Sequence, residues 1–152
     1  MTVRTITAHA NPLIKRLRGL HEKKNRQAEG LFLAEGMRIV AEAVDSGHAP
    51  RYLVLSADQL EHPLAQRLMA ATQAAGGEVL STTPDILNKL SRKDNPQSLI
   101  GIFAQTRRDL AEFDRAAAIW IVLQSIRDPG NLGTILRTAD AIGAGGVILL
   151  DQ

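Results

Sequence analysis

Strand-length apolar runs alternate with helix-period segments along this chain, and that alternation restricts it to layered α/β architectures. Asn11-Pro12 reads as a helix N-cap followed by proline in the first turn, with Leu13, Leu17 and Leu20 recurring behind it at helical spacing. Glu29-Gly30 breaks the pattern, and Leu31-Phe32-Leu33-Ala34 is expected to form a buried strand. A helix is expected from about Met37 to Val44, stopped by Ser46-Gly47. Strand Arg51 to Leu55, helix Pro63 to about Ala75, strand Glu78-Val79-Leu80, a short helix capped by Thr83-Pro84-Asp85 and strand Leu99 to Phe103 follow. The polar stretch Gln105 to Arg115 (QTRRDLAEFDR) lacks a strand pattern and reads as a linker. It divides the chain into a domain over 1–105, a linker over 106–115 and a second α/β segment over 116–152. That last segment offers strand Ala117 to Leu123, a helix from about Asn131 to Ile142 and strand Val147 to Leu150. Two strands and a helix are too little for an independent domain, so it either packs on the first or belongs to something longer.

With 152 residues, 45% of them hydrophobic, the chain can bury one core, or one and part of a second. No apolar run approaches the ~20 residues of a membrane span, and MTVRTITAHANP holds no apolar leader. The absence of Cys excludes disulfides, thiolate metal sites and a Cys nucleophile. His9, His21, His48 and His62 have no ligand-like spacing, so no metal is expected, and the default location is the cytoplasm. Charge is polarised along the chain. Residues 1–38 carry eight Lys or Arg against three acids, and the remainder ten against thirteen. A cationic end on a chain of net charge +2 points to a polyanion, nucleic acid above all; a solvated basic helix is the plain alternative.

The most informative stretch runs from Gln124 to Asp140. Pro129-Gly130 fits the centre of a type II turn, with glycine at positive φ, and Asn131 can then cap the following helix. Leu132, Ile135, Leu136 and Ala139 make the buried stripe, and Arg137 lies off it. A loop after a strand's carboxyl end is where α/β sheets bind ligands, although a capped helix with a surface arginine is common in any α/β protein.

The pattern D-P-x-N-x-G-x-x-x-R-T-A-D-A-x-G, present as Asp128 to Gly143, closely resembles the first motif of the SpoU/TrmH-type RNA ribose 2′-O-methyltransferases of the knotted SPOUT superfamily. Asn11-Pro12-Leu13-Ile14-Lys15 and Phe32-Leu33-Ala34-Glu35-Gly36-Met37-Arg38 resemble that family's N-terminal RNA-binding domain, in the same order. The resemblance implies an N-terminal α/β/α sandwich similar to kink-turn-binding ribosomal proteins. The start of an α/β trefoil-knot domain that binds S-adenosylmethionine and dimerises would follow it. Family members methylate a ribose 2′-hydroxyl in structured RNA, with ribosomal RNA here expected ahead of transfer RNA. Asn131 and Arg137 match the family's active-site Asn and Arg. The family's second and third motifs would follow Gln152. The resemblance therefore implies that these 152 residues alone neither bind the cofactor well nor turn over.

A guanidinium rarely gives up its proton in a protein, which favours Arg137 as an electrostatic clamp on a developing alkoxide or a neighbouring phosphate, with a base role left open. Asn131 would fix the loop and orient Arg137 or the ribose. Lys15, Arg16, Arg18, Lys23, Lys24, Arg26 and Arg38 are the candidate phosphate contacts. Five aromatic residues are too few for a single-strand stacking platform, so RNA would be read by shape and backbone. A non-catalytic RNA-binding module is the rival reading. A nucleotide-binding Rossmann protein is a poorer rival, since Gly143-Ala144-Gly145-Gly146 follows a helix and precedes a strand, the reverse of the fingerprint order.

Overall fold

A computed structural model of the chain describes residues 2–91, 97–106, 116 and 119–150. The chain forms two compact units, Met1–Thr106 and Arg107–Gln152. The linker expected over 106–115 lies, apart from Thr106, outside the described residues.

Helix starts follow one local rule. Of the six α-helices among the described residues, four open with a capping side chain followed by proline: α1 (Pro12–Gly19) behind Asn11, α4 (Pro63–Ala74) behind His62, α5 (Pro84–Leu90) behind Thr83 and α6 (Pro129–Ala141) behind Asp128. Proline forfeits only an N–H that the first turn leaves unpaired, and the preceding side chain accepts from an amide further in. Helices α2 (Lys23–Glu29) and α3 (Met37–Asp45) complete the set.

In the first unit, strands β1 (Val3–Ile6), β2 (Leu31–Glu35), β3 (Tyr52–Ser56), β4 (Glu78–Thr82) and β5 (Leu99–Ala104) form a sheet in the order β1-β4-β3-β5-β2. The β1, β4 and β3 strands run parallel, and β5 is antiparallel to both β3 and β2. Consecutive residues Leu53, Val54 and Leu55 are all fully buried, which only a sheet covered on both faces allows. Val54, Leu80 and Ile100 face Ile14 and Leu17 of α1 and Ile86 and Leu90 of α5. Leu53, Leu55, Val79 and Leu99 face Val40 of α3 and Leu68 and Met69 of α4. The unit is the expected α/β/α sandwich. No helix among the described residues is long and apolar enough to cross a membrane.

Three expectations for this unit change. Strand β1 is an addition; its Val-Arg-Thr-Ile sequence buries only Ile6 and sits at the sheet edge, so no alternation betrays it. The cationic segment is two helices, α1 and α2, separated at Leu20–Glu22. Strand β2 is the other edge strand, with Leu31 buried but Phe32 37% exposed, because only β5 flanks it. Gly77 makes the closest backbone approach: a Cβ there would stand 2.5 Å from the Pro50 carbonyl oxygen and 3.0 Å from that of Thr72. Gly77→Ala should therefore destabilise the fold by about 1–3 kcal/mol, read as a lower denaturant midpoint at unchanged slope.

The second unit has two parallel strands, β6 (Trp120–Gln124) and β7 (Gly146–Leu150), joined through α6 in a βαβ arrangement. The strand start expected at Ala117 falls outside the described residues; the observed strand begins at Trp120. The Trp120 ring lies over Gly146, where a Cβ would meet it at 2.5 Å. Of the expected apolar stripe only Ala139 is buried, Leu132 and Ile135 are half-buried and Leu136 is exposed. Two strands do not offer α6 a surface wide enough to cover the whole stripe.

Candidate catalytic loop and cationic face

At the end of β6 the chain leaves the sheet through Ser125, whose φ of +54° is the one left-handed conformation of a non-glycine residue among those described. Such a conformation carries steric strain, and here it directs Ile126, Arg127 and Asp128 toward the start of α6. The Asp128 carboxylate accepts from the Asn131 amide, Oδ1 to N at 2.6 Å, and is the N-cap. Two expectations are corrected by this. Pro129 occupies the first helical position, so the cap is the residue before it and Asn131 sits inside the first turn. Gly130 is likewise helical and takes no positive φ, so the type II turn is absent. Asp128→Ala should cost about 1 kcal/mol of stability by the usual loss of a cap, with Asp128→Asn costing less. Thermal denaturation of the chain checks both.

Freed from capping, the Asn131 carboxamide is exposed and makes no hydrogen bond among the described residues. Arg137 is exposed two turns along, and its Nη2 donates to Thr134 Oγ1 at 3.2 Å. Asn131, Thr134 and Arg137 are spaced three apart and so form one row on the helix surface. The two predicted residues are not in direct contact; Thr134, which the sequence reading passed over, stands between them. Its only signal was the spacing.

The seven predicted phosphate contacts divide into two groups. Arg16 is bound to Glu29, Nε to Oε2 at 2.8 Å, and this partner holds the Glu29 carboxyl below its ordinary range. Arg26 donates from Nη1 to the carbonyls of Leu20, at 3.1 Å, and His21, at 2.7 Å, across the break between α1 and α2. Arg38 pairs with Glu42 one turn on, at 3.3 Å. Lys15, Arg18, Lys23 and Lys24 are exposed and have no partner among the described residues. An open cavity of about 660 Å³ between α3 and the β2–β5 edge, lined by Phe32, Ile39, His48 and Arg51 among others, holds none of the seven.

Residues 11–101 match the family described as the MRM3-like substrate binding domain. An uncharacterised tRNA/rRNA methyltransferase of Synechocystis is 37% identical, over 97% of this chain and 53% of its own length. The chain belongs to the SpoU/TrmH-type RNA methyltransferase family. A further family member, the 23S rRNA (guanosine(2553)-2′-O)-methyltransferase RlmP of Bacillus subtilis, is 28% identical over 98% of this chain and 55% of its own. The crystal structure of an AdoMet-bound rRNA methyltransferase from Sinorhizobium meliloti superposes with a TM-score of 0.85 at 39% identity, over 97% of this chain and 54% of that one. The chain thus spans about half the length of the methyltransferases it matches.

Helix α6 supplies an exposed carboxamide at Asn131 and an exposed guanidinium at Arg137, donors suited to an anionic oxygen. Among the described residues no cluster of three or more His, Asp or Glu side chains could hold a metal ion.

Proposed function

We propose that these residues serve an S-adenosylmethionine-dependent methyltransferase that modifies a ribose 2′-hydroxyl in structured RNA, ribosomal RNA ahead of transfer RNA. One observation carries the reading. A sandwich matched by a substrate-binding family precedes a strand–loop–helix segment whose helix α6 carries Asn131 and Arg137 in the family's motif order. The non-catalytic binding module gives no account of that segment. A homodimer acting in the cytoplasm belongs to the same proposal and rests on family membership.

The bound cofactor supplies a methyl group already activated by its sulfonium. The difficulty lies on the nucleophile's side, since a ribose hydroxyl attacks well only as its proton departs. Negative charge then grows on the 2′-oxygen, and preorganised donors at that point lower the barrier most. Arg137 provides a permanently charged, planar set of N–H groups for that oxygen or the adjacent phosphate. Asn131, with both ends of its carboxamide free, orients the ribose. Lys15, Arg18, Lys23 and Lys24 hold the phosphate backbone without reading sequence. Residues 1–152 alone are expected to bind RNA and not to transfer methyl groups.

Mapping of ribose methylation in total RNA from a strain lacking the gene tests the proposal. Loss of methylation at a ribosomal RNA nucleotide, restored by the intact gene, is expected. An unchanged map would overturn it.

A further inference from the structure

The row Asn131, Thr134, Arg137 contains one residue to which the proposed reaction assigns no task. Thr134 donates its hydroxyl proton to the Gly130 carbonyl oxygen at 3.0 Å. With the proton committed, the Oγ1 lone pairs turn outward, and one of them receives Arg137 Nη2 at 3.2 Å. The second half of the fork lies beside bare backbone. A Cβ built on Gly133 would stand 3.7 Å from Arg137 Nη1, in ordinary contact, so this half of the fork lies along the glycine's open side. The arginine is thereby folded back toward the start of α6, along the row that leads to Asn131. Arginine is otherwise free to spread over many rotamers, and no carboxylate pairs with Arg137 among the described residues to restrain it.

We propose that Thr134 is a positioning residue: its hydroxyl, oriented by the Gly130 carbonyl, aims the Arg137 guanidinium at the reacting ribose, while Gly133 leaves the space in which the fork lies. This rests on the methyltransferase reading above and adds to it the part of the chain that sets the arginine's direction. A neutral acceptor suits the task. A carboxylate in the same place would neutralise Arg137, whereas a hydroxyl fixes the fork and leaves its full charge for the developing alkoxide.

The test uses the full-length enzyme, its RNA substrate, and the variants Thr134→Val and Thr134→Ser. Valine keeps the shape and removes the acceptor; serine keeps the hydroxyl. Misplacing a catalytic group by about 1 Å costs on the order of a hundredfold in rate, so a loss of about ten- to a hundredfold is expected here. Thr134→Val should lower kcat by that factor with KM for RNA within about twofold of the parent's, since only an interaction used at the chemical step is lost. Thr134→Ser should restore most of kcat. In 15N-detected spectra the Arg137 Nε–H signal, identified by its loss in Arg137→Lys, should shift in the valine variant and return in the serine variant. An active parent whose valine variant turns over normally, or whose Arg137 signal does not move, overturns the inference alone. Equal losses in the valine and serine variants also overturn it. A parent that transfers no methyl group overturns the methyltransferase reading and this inference with it, and that result is separate from the others.

Discussion

Replacing Arg137 by lysine in the full-length enzyme is expected to lower kcat by about 10²–10³ while RNA affinity stays within about twofold, the loss seen when one transition-state donor is removed. The substitution keeps the charge and removes the planar fork. A lysine ammonium presents its three N–H donors from one point and has no planar fork, whereas arginine donates to Thr134 from Nη2 and keeps separately directed N–H groups for substrate. Because the proposed contact strengthens only as charge develops, the loss should fall on kcat and leave KM near the parent value. Single-turnover methyl transfer with enzyme in excess over RNA separates the two. Near-normal turnover by the lysine variant would remove Arg137 from the mechanism.

The second large effect concerns RNA affinity. With Lys15, Arg18, Lys23 and Lys24 all changed to Gln, the log–log salt slope of binding should fall by about three, at roughly 0.7–0.9 per lost phosphate contact. Affinity at low salt should drop by orders of magnitude, and the loss should be similar across RNA sequences. The paired cations make the control. Arg16 and Arg38 are already opposed by Glu29 and Glu42, so Arg16→Gln and Arg38→Gln should change the slope little. Arg26→Gln should instead cost stability, because two helix-end carbonyls lose their donor. Filter binding between low and physiological salt reads all of these. Equal slopes for the two groups would show that partnership does not sort the contacts.

How far the sequence reached depends on what each signal encodes. Strands β3 and β5 were plain in it because burial on both faces demands continuous apolar runs. Helices α4 and α5 were plain because proline and a cap mark their starts. The same cap–proline rule, applied at Asn11-Pro12, would have placed the α6 cap at Asp128. Asn131 drew that role because a second capping residue stood three positions on, and only the fixed φ of Pro129 distinguishes them. Strand β1 was illegible because its pairing with β4 comes from a segment more than seventy residues away, while its own side chains are mostly exposed. The break between α1 and α2 follows Gly19, a stop the leucine spacing ran past, and it is closed locally by Asn25, which donates to the Gly19 carbonyl, and by Arg26, which donates to those of Leu20 and His21. At the site, residue types were legible and partnerships were not. Charge alone could not separate Arg16 from Lys15, and the role of Thr134 depends on where one guanidinium lies.

The row Asn131, Thr134 and Arg137 on α6 serves methyl transfer to a sugar oxygen, on the account given above. The most direct test is transfer from S-adenosylmethionine carrying a labelled methyl group to ribosomal RNA of the deletion strain by the full-length protein, followed by alkaline hydrolysis of the RNA. A 2′-O-methyl blocks cleavage at its own phosphodiester, so the account predicts label in an alkali-resistant dinucleotide, accumulating about 10²–10³ more slowly when Arg137→Lys replaces the parent. Label released in mononucleotides, or no label at all, would contradict it.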